Sequence, residues 1–159
     1  MRTDGRSKVI KFVHFPVLKM SEAQLFYLAE RLRDLESRSK TSGNHVMFIP
    51  RPGKTGSARF ASDNGRGYVT VKLSIPGLKP KSLLVARAAY ICRTARLDLY
   101  PGNGMDDWHV SHTCHRRLCI KAEHLVLEPG FVNKGRNSCS PTDGCSQNHS
   151  GYPPCDLED

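Results

Sequence analysis

A run of cysteines and histidines between residues 112 and 155 has the spacing of metal ligands. It reads His-x-Cys-x4-Cys-x4-His, then an asparagine, then Cys-x5-Cys-x3-His-x5-Cys, which places His112, Cys114, Cys119, His124, Asn133, Cys139, Cys145, His149 and Cys155. Structural zinc sites take four Cys or His ligands in a tetrahedron. Two such sites would still leave one histidine, His112, and one asparagine, Asn133, that zinc does not need.

The second half of this run is a complete ligand set. Cys139, Cys145, His149 and Cys155 lie in a segment of Ser, Pro, Gly and Asn with few core-forming residues. Such a segment cannot order itself by burial, so zinc would have to supply the folding free energy. We therefore predict a structural zinc site here.

The first half supplies only three ligands, Cys114, Cys119 and His124. A fourth must come from elsewhere in the fold. Cys92 is our first choice, because every other cysteine already has a role, and His45 is the second. The alternative for Cys92 is a buried helix thiol that acts as a small hydrophobic residue.

The net charge of the chain favours a polyanionic partner. All 24 lysines and arginines and 11 of the 15 acidic residues lie in residues 1–136, a balance of +13, whereas the last 23 residues carry −4. Nucleic acid is the simplest such partner. The alternatives are that the charge serves solubility or binding to a membrane surface.

The N-terminal residues lack the apolar core of a signal peptide, and no stretch is long enough to span a bilayer. We therefore expect no membrane association, no secretion, and location in the nucleus or another compartment that contains DNA. In a reducing compartment, clustered cysteines bind metal more often than they form disulfides.

Hydrophobic periodicity predicts the elements that would position these ligands. Residues 8–15 read as a strand, and residues 22–37 as a helix with a Ser21/Gln24 capping box. That helix carries Leu25, Leu28, Leu32 and Leu35 on one face, for the core or for a partner. Residues 58–75 read as a hairpin that turns at 63–65, and residues 81–96 as a largely buried helix.

The second strand of that hairpin alternates, with Val69, Val71, Leu73 and Ile75 on one face. The opposite face, together with cations of the hairpin, would form a DNA-binding surface made of Arg59, Arg66, Tyr68, Thr70, Lys72 and Ser74. Two-stranded ribbons of this kind fit the major groove. An ordinary solvated sheet face is the alternative.

The string SHTCHRRLCIKAEHL, followed by NKGRNSC and the later Cys, His and Cys, resembles the His-Cys box homing endonucleases, a branch of the His-Me finger nucleases. The resemblance is specific over residues 111–155. It implies an α+β fold with an antiparallel DNA-binding sheet (45–75), a zinc-stabilised ββα-metal core (81–137) and a second zinc loop (139–155). Residues 1–40 would be an N-terminal extension of the same single domain, 1–159.

The resemblance also implies roles for the two surplus residues. His112 would be the general base that activates water, and Asn133 would hold one catalytic Mg²⁺ beside two structural Zn²⁺ ions. Arg66 would assist at the scissile phosphate of double-stranded DNA. Without the resemblance, His112 could instead be another cluster ligand or a histidine whose hydrogen bonds are satisfied within the fold. His109 and His115 are nearby and could compete for either role. Asn133 could be a helix cap.

Known dimers of this family use a C-terminal tail, whereas only Asp156–Asp159 follow the last cysteine here. We therefore expect any homodimer to use another surface, for which residues 22–37 are one candidate. The main alternative function is a DNA-binding zinc module that does not cut. An RNA-binding or protein-binding zinc domain is less favoured, because aromatic residues for base stacking are few.

Overall fold

The computed structural model describes residues 19–50, 69–100, 107–140, 144–145 and 149–157. In chain order the helices are α1 (Glu22–Ser37), α2 (Val85–Thr94) and α3 (Gly130–Arg136). The strands are β1 (Ser39–Ser42), β2 (His45–Phe48), β3 (Thr70–Leu73), β4 (Lys81–Leu84), β5 (Trp108–His112) and β6 (Leu125–Pro129). The fold is therefore mixed α+β, as predicted. The predicted strand 8–15 and the first strand of the hairpin lie outside the described residues.

The strands form three two-stranded antiparallel sheets, β1–β2, β3–β4 and β5–β6. Strand β5 pairs with β6 from Trp108↔Pro129 to His112↔Leu125, and α3 begins directly after β6. This β5–β6–α3 unit is the predicted ββα arrangement. It places the end of β5 and the body of α3 in one unit of the fold.

The prediction of a helix over residues 81–96 is wrong for its first four residues. Lys81–Leu84 is strand β4, paired with β3 from Thr70↔Leu84 to Leu73↔Lys81, and the helix begins only at Val85. Lys and Leu are good helix formers, but strand pairing overrides this local preference. The predicted alternation of β3 is confirmed, because Val71 and Leu73 are buried whereas Lys72 is exposed.

Helix α1 begins where the capping box predicts. The Gln24 backbone N–H donates to Ser21 Oγ (3.1 Å), and the Ser21 N–H donates to Gln24 Oε1 (3.0 Å). Its inward face differs from the predicted leucine stripe, since Leu28 and Leu35 are buried but Leu25 is 48% exposed.

Polar residues of α1 occupy the remaining inward positions. Gln24 donates to the Pro76 carbonyl (3.0 Å) and Arg31 to the Lys72 carbonyl (3.2 Å), while Tyr27 Oη accepts from the Ser74 N–H (2.6 Å). These bonds tie α1 to the backbone of β3 and of the residues that follow it. Arg31 therefore contributes to the packing of α1 on the sheet.

The core lies between α1, α2 and the β3–β4 sheet, with Leu35, Leu73, Ile91 and Leu99 fully buried. Arg93 of α2 donates to the Ile120 carbonyl (3.0 Å), which joins this core to the loop between β5 and β6. Among the helices that the structure describes, none has the length and apolar character needed to cross a membrane.

Candidate metal centres and active-site cleft

The structure brings four buried side chains together as one possible metal site. These are His45, Cys114, Cys119 and His124, and one ligand atom from each lies within 4.8 Å of the others. A hydrogen bond from the Cys114 thiol lowers the pKa of Cys119 to about 4. The site thus provides two imidazoles and two sulfurs, a donor set that suits tetrahedral zinc.

Backbone pairing between β2 and the β5–β6 loop explains why His45 reaches this site. The Phe48 N–H donates to the Leu118 carbonyl, and the Ile120 N–H donates to the Val46 carbonyl, each at 2.8 Å. Met47 and Cys119 form a bridge between these two bonds. The loop that carries the cysteine ligands is therefore paired with the strand that begins at His45.

The environment of His45 fits a metal ligand. It is 6% exposed, and in the described residues neither ring nitrogen has a hydrogen-bond partner. A buried imidazole without partners is costly, and coordination through one nitrogen would remove part of that cost. Zinc therefore fits this group of residues.

Cys92, our first choice for the fourth ligand, is not in this group. It lies in α2 within the hydrophobic core, where burial raises the pKa of its thiol to about 11. Cys92 therefore takes the alternative role, that of a buried helix thiol acting as a small hydrophobic residue. The second choice, His45, is the residue that the fold supplies.

The second predicted ligand set also comes together. The Sγ atoms of Cys139, Cys145 and Cys155 lie 3.6, 3.1 and 3.4 Å from Nε2 of His149. The Cys155 backbone N–H donates to Cys145 Sγ (3.4 Å) and lowers the pKa of that thiol to about 6. Three sulfurs around one imidazole nitrogen also fit zinc, so the two groups fit two structural zinc sites.

A cleft of about 450 Å³ lies beside these sites. Its polar lining consists of three arginines, three histidines, two asparagines and a serine, namely Arg87, Arg117, Arg136, His109, His112, His115, Asn133, Asn137 and Ser111. No carboxylate is among the lining residues that the structure describes. This lining suits an anionic group such as a phosphate.

His112 stands at the end of β5, with its Nε2 atom 3.0 Å from the Cys119 carbonyl oxygen. A carbonyl only accepts, so Nε2 carries the proton and Nδ1 keeps its lone pair. Burial is the main cause that lowers the pKa of His112. Both observations favour the neutral imidazole, with one nitrogen able to accept a proton.

Asn133 lies on α3 and lines the same cleft. Its side-chain Nδ2 is 3.0 Å from His109 Nδ1. Burial lowers the pKa of His109, and Arg87 and Lys134 lower it further, which favours the neutral ring. The structure thus places His112 and Asn133 on one cleft, and His109 beside Asn133.

A buried ion pair fixes the far end of α3. Arg136 donates to both carboxylate oxygens of Glu128, through Nε (2.8 Å) and Nη2 (2.7 Å), and the two side chains are 2% and 0% exposed. Arg136 Nη1 also donates to Cys155 Sγ (3.5 Å), and His115 Nε2 lies 3.1 Å from the same sulfur. The second zinc site therefore supports the helix that carries Asn133.

Sequence reasoning missed the roles of His109, Glu128 and Arg136. Glu128 and Arg136 lie eight residues apart across a strand and a helix, and no short-range pattern pairs them. An acidic residue in an apolar strand (LVLEP) was the only available signal.

Three of the predicted DNA-binding residues lie on one face of the β3 segment. Thr70 is partly exposed, and Lys72 and Ser74 are exposed. Arg59, Arg66 and Tyr68 lie outside the described residues. The possible assistance of Arg66 at the cleft therefore stays a prediction.

Comparison with known proteins agrees with this geometry. A family model described as the zinc-binding loop region of homing endonuclease matches residues 56–158, which is more than half of the chain. No curated protein sequence matches the chain significantly. The family match covers both groups of cysteines, His112 and Asn133. The chain therefore belongs to the homing endonuclease family that carries this zinc-binding loop, as the His-Cys box resemblance implied.

Proposed function

We propose that this protein is a Mg²⁺-dependent, zinc-stabilised endonuclease that hydrolyses phosphodiester bonds at specific sites in double-stranded DNA. The observation that carries the proposal is the shared cleft of His112 and Asn133, lined by arginines and histidines. A pure DNA-binding module has no chemical need for a neutral imidazole with a free nitrogen in such a cleft.

His112 is the general base in this proposal. Its Nε2–H is held by the Cys119 carbonyl, so Nδ1 is the atom that accepts the proton of the attacking water. Cys119 belongs to the first zinc site, and this contact ties the orientation of the base to the order of that site. Zinc then has a structural role and takes no part in the chemical step.

Asn133 would supply the side-chain oxygen that holds Mg²⁺. The bound ion would supply positive charge to stabilise the charge that develops on the phosphate and the leaving 3′ oxygen. With a single protein ligand, we expect weak Mg²⁺ binding in the absence of DNA, since the ion keeps most of its waters.

DNA would be read by the polar face that holds Thr70, Lys72 and Ser74. Lys72 would contact phosphate, and hydroxyl groups would contact base edges or backbone. Arg59, Arg66 and Tyr68 extend this proposed surface, with Arg66 near the scissile phosphate. Residues 1–159 would act as one nuclease domain in a compartment that contains DNA.

Cleavage of both strands requires two active sites, so a homodimer is part of the proposal for double-strand cutting. The outer face of α1 is the candidate surface, because Leu25 and Phe26 are 48% and 69% exposed. A monomer would nick instead.

The test is cleavage of a supercoiled plasmid pool that carries random inserts, with added Mg²⁺ and zinc-loaded protein. Wild-type protein should nick or linearise a fraction of the pool, and His112→Ala should reduce the rate about a hundredfold or more. The variant should keep two zinc ions and its DNA affinity. A folded wild type that binds DNA but cuts no member of the pool would support the non-cutting module instead.

A further inference from the structure

We propose that His109 is a positioning residue for Asn133, and that its Nδ1 atom accepts a hydrogen bond from the Asn133 amide nitrogen and so directs the amide oxygen toward the metal. The inference rests on the proposed function, because it assigns a purpose to the side chain beside the proposed Mg²⁺ ligand. Nδ2 of Asn133 and Nδ1 of His109 are 3.0 Å apart.

The two polar groups of the Asn133 carboxamide decide which residue donates the hydrogen bond in this contact. A carboxamide carries one oxygen and one NH₂ group, and only the oxygen can bind Mg²⁺. If the oxygen accepted from a protonated Nδ1, the NH₂ group would face the metal. The bond that is compatible with Mg²⁺ binding is therefore N–H donation from Asn133 to an unprotonated Nδ1. One fixed acceptor then makes one of the two amide orientations the lower in energy.

A close approach of His109 to α3 shows that the fold holds this ring in place. A Cβ atom at Gly130 would lie 3.0 Å from Nε2 and 3.1 Å from Cε1 of His109. The absence of a side chain at Gly130 thus makes room for the ring against the first turn of α3. The Gly130 N–H also donates to the Asp107 carbonyl (2.8 Å), which fixes the helix start to the residues before β5.

Both partners are carried by anchored elements. His109 lies directly opposite Glu128 in the β5–β6 pair, and Glu128 holds Arg136 at the other end of α3. Asn133 lies between the Gly130 and Arg136 anchors. The separation between the ring and the amide is therefore set by sheet register and helix position, as a positioning contact requires.

The experiment compares four zinc-loaded full-length proteins: wild type, His109→Leu, His109→Asn and Gly130→Ala. Leucine fills the site but accepts no hydrogen bond, whereas asparagine can present an oxygen near the position of Nδ1. Gly130→Ala keeps the imidazole and displaces it. Zinc stoichiometry and circular dichroism select the variants that fold.

The first measurement is NMR of ¹⁵N-asparagine-labelled protein titrated with Mg²⁺. In wild type, the Asn133 side-chain NH₂ should show a hydrogen-bonded proton and one orientation, and Mg²⁺ should shift these signals. His109→Leu should lose the hydrogen-bonded signal and raise the half-saturating Mg²⁺ concentration about fivefold, the effect of one neutral hydrogen bond. Gly130→Ala should do the same to a smaller extent, and His109→Asn should restore wild-type behaviour.

The second measurement is the Mg²⁺ dependence of plasmid cleavage. His109→Leu should require about fivefold more Mg²⁺ and approach the wild-type rate at saturation. Equal Mg²⁺ dependence in His109→Leu and wild type would overturn the positioning role and leave the nuclease proposal standing. Loss of the Asn133 response in His109→Leu, with no cutting by wild type, would support the positioning role and overturn the nuclease proposal.

Discussion

His124 and Asp156 join the two ends of the zinc-binding region. His124 Nε2 lies 3.2 Å from Asp156 Oδ2, while its Nδ1 lies 3.4 Å from Cys119 Sγ in the first metal site. Asp156 directly follows Cys155, a ligand of the second site, and its backbone N–H donates to the Thr113 carbonyl (2.9 Å). A carboxylate on the outer nitrogen of a zinc-bound histidine fixes the tautomer and orientation of the ring.

Replacing Asp156 with Asn should therefore weaken zinc binding at the first site. We expect about a tenfold loss of affinity, the lower end of the effect of such carboxylates. Competition with a chromophoric chelator would measure it. Glu123→Gln is the matched control, since it removes one charge beside His124 from an exposed position. An equal loss in both variants would show that charge alone, and not the contact, is responsible.

Replacing each of the two candidates for the fourth ligand should have a different effect on zinc content. His45→Ala should reduce bound zinc from two ions to one, because three ligands remain in the first site. Cys92→Ala should keep both ions and lose about 1 kcal/mol of stability through the small core cavity. Elemental analysis after gel filtration distinguishes them, and loss of an ion from Cys92→Ala would contradict the assignment.

Replacing one residue of the buried Glu128–Arg136 pair should cost more stability than replacing both. Glu128→Gln leaves a buried guanidinium without its counterion and should cost about 3–5 kcal/mol. A Glu128→Leu/Arg136→Met double variant should recover much of this loss. Urea unfolding at a fixed free zinc concentration measures both, because bound metal contributes to apparent stability. A double variant no more stable than Glu128→Gln would argue against a dominant charge effect.

Loss of the second zinc site should loosen α3. Arg136 donates to Cys155 Sγ, and His115 contacts the same sulfur, so a disordered site removes support from the helix that carries Asn133. Cys145→Ser should bind one zinc ion and show faster amide exchange over Gly130–Arg136 than wild type. Unchanged exchange in α3, with one zinc ion lost, would show that the Glu128 pair suffices to hold the helix.

The polar face of β3 should contribute to DNA affinity through charge. Lys72→Ala should weaken binding about equally across DNA sequences. It should also lower the number of counterions released on binding, read from the salt dependence of the affinity, by about one. Lys81→Ala is the matched control, because it removes the same charge from β4. Lys81 is the cross-strand partner of Leu73, so it does not share the sheet face of Lys72. Fluorescence anisotropy at several salt concentrations compares the two, and equal effects would argue against a specific surface.

Short-range chemistry made several features of this protein predictable from sequence. The Ser21/Gln24 capping box set the start of α1, and alternation set the buried face of β3, because both signals act over a few residues. The spacing of Cys139, Cys145, His149 and Cys155 defined a complete ligand set, since four ligands in one short segment need no distant partner.

Tertiary structure alone decided the remaining features. His45 rather than Cys92 joins the first metal site because backbone pairing of β2 with the β5–β6 loop brings it there. Lys81–Leu84 is a strand because β3 offers it a pairing edge, against its helix propensity. His109 reaches Asn133 because sheet register and the missing side chain at Gly130 place the ring against α3. Each outcome depends on contacts between residues distant in sequence, which no local pattern encodes.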